Sequence, residues 1–248
     1  MRPWYLCRVN GGTSSDLVIG IDEAGRGPIL GPMVMACVAL RPRRAATLTR
    51  AGVMDSKKFG TGDDAHGARR ALVPRILEAA EHFAVVVIDV HEIDRRCVRG
   101  ELNRLEQERA DAMLRAAPPA RRIVADGKRL FAPLGSAWPQ LDALDHGEEQ
   151  HVAVAAASVL AKVRRDAIFL KIAARYAAYG PLCGGGYVNP GTRAFLRAYI
   201  ERHRALPPEG RRSWPWTFAA DLLGDGFDPC AGHPDLIPPE PPQLALAL

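Results

Sequence analysis

Three carboxylates stand at the ends of predicted strands, where they could hold metal ions. Asp22 and Glu23 end the apolar run that begins at Leu17, and Asp126 ends the run R-R-I-V-A-D of residues 121–126. Ligands bind at strand ends in open α/β sheets, although a single strand-terminal aspartate more often caps a helix or forms a turn. The adjacent pair of Asp22 and Glu23 favours a functional interpretation over that alternative.

A fourth candidate, Asp166, lies within a predicted helix. On the apolar face of a helix an aspartate must be paired, because an unpaired buried carboxylate is very costly. A salt bridge to Arg164 or Arg165, its neighbours in the sequence, is the ordinary solution. We predict instead that Asp166 converges with the other three carboxylates around cations. The apolar residues that share its helical face are Val159, Val163, Leu170 and Ala173.

The chemistry of such a cluster is metal-dependent hydrolysis. Carboxylate oxygens select hard ions, Mg²⁺ or Mn²⁺, over zinc. His146 and His151 are not at zinc-like spacing, and we interpret them as surface or loop residues. Two Mg²⁺ ions about 4 Å apart support in-line attack of water on a phosphodiester, because one ion activates the water and the other stabilises the leaving oxygen. The cluster therefore predicts a two-metal site that hydrolyses a phosphodiester.

An arginine between two glycines follows the first pair of carboxylates. Glycine lets the backbone come close to a ligand, and exposed amides at Gly25, Arg26 and Gly27 could donate to a phosphate or to a ribose 2′-hydroxyl. The 2′-hydroxyl is the group that distinguishes RNA from DNA. The alternative is a tight turn with Arg26 in solvent. The neighbouring carboxylates favour a substrate-binding loop.

Strands alternating with helices must position these residues. Near-continuous apolar runs predict strands that are covered on both faces at 17–22, 33–40 and 84–90, with a shorter strand ending at Asp126. Helices are predicted at about 65–83, 101–117, 148–179 with a possible break, and 193–203. The short Gly/Pro-rich connection between the first two strands is compatible with an antiparallel hairpin in a mixed sheet. The pattern predicts an α/β fold.

The chain of 248 residues divides into one domain at 17–220, a flexible leader at 1–16 and a proline-rich tail at 221–248. We predict neither a membrane span, since no apolar run is long enough, nor a secretory signal. The five cysteines are odd in number and form no C-x-x-C pair, which indicates a reducing, cytoplasmic location.

Positive charge is concentrated in the second half of the domain. The net charge is +5, basic residues cluster at 161–175 and 193–212, and Lys and Arg are absent after Arg212. This distribution fits a surface that binds a polyanion. Two solvated helix faces would give the same pattern, so charge alone leaves both interpretations open.

Four motifs, in their order, resemble ribonuclease HII, the type 2 ribonuclease H family. They are G-I-D-E-A-G-R-G-P (20–28), D-S-K-K (55–58), V-A-D-G (124–127) and A-A-A-S-V-L-A-K-V-R-R-D (155–166), and the match runs from about 17 to 218. The resemblance implies a ribonuclease H-like mixed sheet flanked by helices, with a helical C-terminal extension. It also implies Mg²⁺- or Mn²⁺-dependent cleavage of RNA in RNA–DNA hybrids, and incision 5′ to single ribonucleotides in duplex DNA that leaves 5′-phosphate and 3′-hydroxyl ends.

The same resemblance assigns roles to single residues. Asp22, Glu23, Asp126 and Asp166 would be the catalytic metal ligands, and Gly25, Arg26 and Gly27 would contact the sugar-phosphate and sense the 2′-hydroxyl. Tyr187 would pack on the deoxyribose after the ribonucleotide, while Asp55, Ser56, Lys57 and Lys58 would hold the nucleic-acid backbone. The usual lysine before the glycine-tyrosine pair is absent, because Gly185 and Gly186 stand there.

Three alternatives remain beside this prediction. A ribonuclease HIII would cut hybrids but act weakly on single ribonucleotides, and it usually carries an N-terminal domain that 16 residues cannot provide. A non-catalytic nucleic-acid-binding relative would be expected to lose carboxylates. A nucleotide-binding metabolic enzyme would need a glycine-rich phosphate loop of a kind the sequence lacks. We expect a monomer that binds RNA–DNA hybrids and ribonucleotide-containing DNA, and a replication-clamp contact through the tail is left open.

Overall fold

A six-stranded mixed sheet forms the centre of the computed structural model, which describes residues 6–9, 16–53, 60, 63–214, 216, 228–230 and 233–236. The strands are β1 (Leu6–Val9), β2 (Val18–Ala24), β3 (Met33–Leu40), β4 (His82–Ile88), β5 (Arg122–Asp126) and β6 (Leu141–Leu144). Their order across the sheet is β1-β4-β3-β2-β5-β6. β2 pairs antiparallel with β3 and parallel with β5, so it joins the two halves of the sheet.

The predicted hairpin of the first two apolar runs is confirmed. Val18 pairs with Leu40 and Ala24 with Val34 across β2 and β3. All eight residues of β3 are buried, as expected of a strand that is covered on both faces.

Helices cover both faces of the sheet. They are α1 (Pro42–Arg50), α2 (Asp63–Ala79), α3 (Val90–Cys97), α4 (Leu102–Ala116), α5 (Lys128–Phe131), α6 (Gly147–Gln150), α7 (Val152–Arg175) and α8 (Pro190–His203). Apolar residues of α1, α2 and α7 share a core with one face, and those of α3, α4 and α5 share a core with the other. A third core joins the end of α7 to α8, which forms the predicted C-terminal helical extension. Within the described residues, no helix is both long enough and apolar enough to cross a membrane.

Some boundaries differ from the sequence prediction. Leu6–Val9 pairs with β4, so the expectation of a flexible leader over 1–16 is wrong for these four residues, which are too few to show a strand pattern. β4 ends at Ile88 rather than at 90, because the Asp89 side chain caps α3 by accepting a hydrogen bond from the backbone amide of Glu92.

Two helices also end earlier than predicted. The helix predicted to reach residue 83 ends at Ala79, since β4 already begins at His82. The helix predicted over 148–179 with a possible break is indeed broken, at His151, whose backbone is extended with φ −143° and ψ 121°, and its second part, α7, ends at Arg175. This break separates the short α6 from the long α7.

α7 lies directly on β2 because neither element carries a large side chain at the contact. A Cβ added to Gly20 would lie 2.1 Å from the backbone carbon of Ala153. Side chains two residues apart on a strand face the same side, so Asp22 faces α7 as Gly20 does. The close approach therefore brings the side chains of α7 to the end of β2.

The first prediction tests this contact. Gly20→Ala should lower the free energy of unfolding by about 3 kcal/mol or more, because the added methyl group overlaps backbone that cannot retract without moving α7. Gly67→Ala is the control: Gly67 lies in α2 with open space around it, and the change should raise stability by about 0.5–1 kcal/mol. Urea unfolding of both variants measures the difference. A Gly20→Ala variant as stable as wild type would contradict the close packing.

Candidate active site

Parallel pairing of β2 with β5 brings two predicted aspartates together. Ile21 pairs with Ala125, and the next residue on each strand is Asp22 and Asp126 respectively. Asp22 is buried and accepts hydrogen bonds from the Glu23 amide, at 2.7 Å, and from the Ser158 side chain of α7. The predicted convergence of these strand ends is therefore confirmed in the structure.

A carboxylate that the sequence did not indicate completes the group. Glu148 of α6 is only 3% exposed, and its charge, like that of Asp126, raises the pKa of Asp22. The Gly147 amide donates to Asp126 Oδ1 at 2.9 Å, which fixes the start of α6 against the end of β5. His146 precedes it in a left-handed conformation with φ 59°. The signal in the sequence was the acidic pair that begins at Glu148, just before an alanine-rich stretch, from which we predicted only that a helix begins at about residue 148.

The structure corrects the prediction that Asp166 joins this group. Asp166 Oδ1 lies 2.6 Å from Lys162 Nζ, and Oδ2 lies 3.6 Å from both Arg69 Nη2 and His66 Nδ1. The salt-bridge alternative is therefore the right one, with partners other than the adjacent arginines. The helical face was also misjudged, since Leu170 is 48% exposed. Helical periodicity groups residues on a face, but it does not say how far along the helix that face stays covered.

The carboxylates form one wall of a cavity of about 400 Å³. Cationic side chains line the same cavity, so carboxylates and positive charges face one space. This arrangement fits a phosphate group bound above metal ions. The charged lining residues are Asp22, Glu23, Asp126 and Glu148 on the acidic side and Arg26, Arg69, Lys162 and Arg165 on the basic side.

Burial and mutual repulsion disfavour the ionised form of these carboxylates when no cation is bound. Burial, opposed by the Ser158 hydrogen bond and assisted by the charges of Asp126 and Glu148, raises the pKa of Asp22 to about 7. Burial and the charge of Asp22 hold the pKa of Glu23 well above its usual range. An all-oxygen set of buried and half-buried carboxylates that repel one another fits hard divalent ions such as Mg²⁺ or Mn²⁺.

The Gly25–Gly27 loop lies on the rim of this cavity, and its arginine is held in place. Arg26 Nε donates to Glu106 Oε1 at 2.7 Å and its Nη2 donates to Asn103 Oδ1 at 2.5 Å. The alternative of a freely solvated Arg26 is thereby excluded. Gly25 has φ +86°, and a Cβ there would lie 2.8 Å from the Arg165 side chain. Glycine is therefore required for both conformation and space.

Tyr187 lies beside the same loop. A Cβ on Gly27 would be 3.3 Å from its ring, and the tyrosine is 53% exposed. The Gly186 carbonyl accepts hydrogen bonds from the amides of Ile29 and Leu30, at 3.0 and 3.2 Å, which joins the two loops. Asp55, Ser56, Lys57 and Lys58 lie outside the described residues, so their role in holding the nucleic-acid backbone stays a prediction.

Solved structures with the same fold are ribonucleases H. Ribonuclease H2 from Pyrococcus horikoshii superposes with a TM-score of 0.70 at 29% identity, covering 84% of this chain and 97% of that one. Ribonuclease HII from Archaeoglobus fulgidus, in its complex with PCNA, gives a TM-score of 0.68 at 27% identity, covering 85% of this chain and 98% of that one. The fold and the site thus define a nuclease of the ribonuclease H-like class.

Sequence comparison narrows the class to one family. The model of the family described as Ribonuclease HII matches residues 19–217. Ribonuclease HII from Caldivirga maquilingensis is 34% identical over 209 residues, covering 82% of this chain and 94% of the relative. Ribonuclease HII from Nocardia farcinica is 38% identical over 200 residues, covering 79% and 71%. The chain belongs to the ribonuclease HII family and is a phosphodiester hydrolase of RNA–DNA hybrids.

A second prediction follows from the raised pKa of Asp22. The unfolded chain releases this proton near pH 3.8 and the folded protein near pH 7, so metal-free stability falls as pH rises across that window. Asp22→Asn removes this effect. In EDTA at pH 8 the melting temperature of the variant should exceed that of wild type by about 2–4 °C, which is the shift that about 1 kcal/mol produces. At pH 4 the difference in melting temperature should be smaller. A variant that melts below wild type at pH 8 would contradict this account.

The third prediction separates Glu148 from Asp166. Glu148→Gln should lower kcat by about 100-fold or more, because it removes a charge from the carboxylate group that faces the reacting phosphate. Asp166→Asn should lower kcat less than about 10-fold, since it weakens the ion pairs of Asp166 with Lys162 and Arg69 but removes no carboxylate from that group. Steady-state cleavage of an RNA–DNA hybrid measures both. The reverse ranking would restore the assignment made from the sequence.

Proposed function

We propose that the protein cuts RNA in RNA–DNA hybrids and also incises duplex DNA 5′ to a single ribonucleotide, leaving 5′-phosphate and 3′-hydroxyl ends. The observation that carries the proposal is a single cavity that combines four carboxylates, several cations and the glycine-arginine-glycine loop. A hydrolytic site and a group able to read the sugar therefore lie side by side. Hydrolysis and recognition of the 2′-hydroxyl can act on one nucleotide.

Asp22, Glu23, Asp126 and Glu148 are proposed to hold two divalent cations. Bound there, the cations would activate water for in-line attack and stabilise the leaving 3′ oxygen. A related ribonuclease HIII, 26% identical with a TM-score of 0.59 and covering 76% of this chain and 63% of that one, has been solved in complex with Mn²⁺, which supports a divalent ion here. Ser158 and the Glu23 amide keep the Asp22 carboxylate oriented by hydrogen bonds to it.

The basic side of the cavity is proposed to receive the phosphodiester. Lys162 and Arg69 both lie near Asp166 and both line the cavity, and their pairing with Asp166 limits their motion. Arg165 is buried and donates to the Leu30 carbonyl at 3.1 Å, so its guanidinium is fixed as well. Cations that are positioned in advance stabilise developing negative charge without reorganisation.

The Gly25–Gly27 loop and the neighbouring Tyr187 are proposed to recognise the sugar. Amides of the Gly25–Gly27 loop would donate to the 2′-hydroxyl or to the adjacent phosphate. The exposed ring of Tyr187, in contact with that loop, offers a flat apolar surface to the next deoxyribose. Together these groups would favour the step from a ribonucleotide to DNA.

Partners other than nucleic acid stay predictions. The Archaeoglobus fulgidus relative was solved in complex with PCNA, which supports a contact between this protein and a replication clamp. The tail of residues 221–248, through which such a contact was left open, is described by the structure only at 228–230 and 233–236. The monomeric state and the cytoplasmic location are predicted from the sequence alone.

The fourth prediction is the direct test of activity. With Mg²⁺ or Mn²⁺, the purified protein should nick a DNA duplex that contains one ribonucleotide, on its 5′ side, and leave the all-DNA duplex intact. Asp126→Asn should abolish nicking and leave binding largely unchanged, because the variant keeps the shape of the site and loses a metal ligand. Asp142→Asn, the same change at an exposed position of β6 where Asp142 pairs with Arg122, should cut at the wild-type rate.

Two outcomes would contradict the proposal. If the wild type cuts an RNA–DNA hybrid but not the single-ribonucleotide duplex, the protein is a hybrid-only nuclease like ribonuclease HIII. If it cuts neither with either metal, it is a non-catalytic relative that binds nucleic acid.

A further inference from the structure

A fully buried arginine lies beneath the glycine-arginine-glycine loop. Arg211 is 0% exposed and comes from the chain after α8. Its Nη1 donates to the Arg26 carbonyl at 2.7 Å, its Nη2 donates to the Gly25 carbonyl, and its Nε donates to the Gly31 carbonyl at 3.0 Å. One guanidinium thus holds three carbonyl groups around the loop.

These contacts orient the opposite side of the same peptide groups. In a trans peptide the carbonyl of one residue and the amide of the next point in opposite directions, and none of the described peptide bonds is cis. Because the carbonyls of Gly25 and Arg26 point to Arg211, the amides of Arg26 and Gly27 point away from it. Neither amide donates to an acceptor among the described residues, so both are available to a ligand.

Arg211 is itself held by groups that do not touch the cavity. Its guanidinium lies 4.8 Å from the centre of the Trp214 ring, and Trp214 Nε1 donates to the Gly27 carbonyl at 3.2 Å. Buried Asp94 of α3 accepts hydrogen bonds from the amides of Arg212 and Ser213, at 2.9 and 3.0 Å. Burial and the nearby Arg165 lower the pKa of Arg211 to about 10, which leaves it charged at neutral pH.

We propose that Arg211 is a positioning residue that presents the amides of Arg26 and Gly27 to the 2′-hydroxyl and neighbouring phosphate of the bound ribonucleotide. The inference rests on the proposed function and adds the group that makes sugar recognition possible. Only a guanidinium has planar donors that reach three carbonyls at once, since a lysine ammonium is a compact point charge. Arg211 acts through the loop and does not touch the substrate.

Binding to two duplexes that differ only in one 2′-hydroxyl tests the proposal. Dissociation constants are measured with Ca²⁺ for a duplex with one ribonucleotide and for the all-DNA duplex of the same sequence. Arg211→Lys should reduce the preference for the ribonucleotide by about 3–10-fold, the loss expected when one or two hydrogen bonds fail. Its affinity for the all-DNA duplex should stay within about twofold of wild type, because the phosphate-binding cations are untouched.

Two further variants separate positioning from general destabilisation. Leu48→Ala removes the buried side chain of the otherwise largely exposed α1, in the core that α1, α2 and α7 share with the sheet, and should keep the wild-type preference. Trp214→Phe keeps an aromatic ring but removes the indole N–H that donates to the Gly27 carbonyl, so it should reduce the preference by about 2–3-fold even if Arg211→Lys does not fold.

Several results of these measurements would contradict the inference or the proposed function. An Arg211→Lys variant with the wild-type preference, or one that loses affinity for both duplexes in equal proportion, overturns the inference, as does an unchanged preference in Trp214→Phe. If the wild type cuts the ribonucleotide duplex but the variants keep the wild-type binding preference, only the inference about Arg211 is wrong. A wild type with neither preference nor cleavage overturns the proposed function itself.

Discussion

The repulsion among buried carboxylates is the constraint on which the rest of the site depends. Parallel pairing of β2 with β5 places Asp22 and Asp126 side by side, and Glu148 enters from α6. Such charges stay ionised close together only where hydrogen bonds and cations stabilise them, because otherwise one of the groups takes up a proton. The hydrogen bond from Ser158, the contact of α7 at Gly20 and the basic wall of the cavity all serve to hold this arrangement.

The Gly25–Gly27 loop, which we propose recognises the sugar, depends instead on contacts with distant parts of the chain. The Arg26 side chain pairs with Glu106, which is 80 residues away in the sequence. The Arg26 carbonyl accepts a hydrogen bond from Arg211, which is 185 residues away. Burying the charged groups of Glu106 and Arg211 costs free energy, but their hydrogen bonds hold the loop rigid. Rigidity here lets weak hydrogen bonds to a sugar become selective, because the donors are in place before the ligand arrives.

The sequence predicted β2, β3, β4 and β5 and the aspartates near the ends of β2 and β5, since apolar runs and their charged ends are local signals. It missed β1 and β6, which have only four residues each. It did not predict Glu148, because α6 has only four residues and its direction is set by the left-handed turn at His146. It misplaced Asp166, because periodicity identifies a helical face without saying which turn of the helix reaches the cavity. The partners of Arg26 could not be inferred either, since they depend on tertiary contacts alone.

Anomalous scattering from crystals grown with Mn²⁺ and a ribonucleotide-containing duplex tests the central claim most directly. We predict two Mn²⁺ peaks about 4 Å apart, ligated by Asp22, Glu23, Asp126 and Glu148, with Asp166 still paired to Lys162. Mn²⁺ bound to Asp166, or no Mn²⁺ among the four carboxylates, would contradict the account.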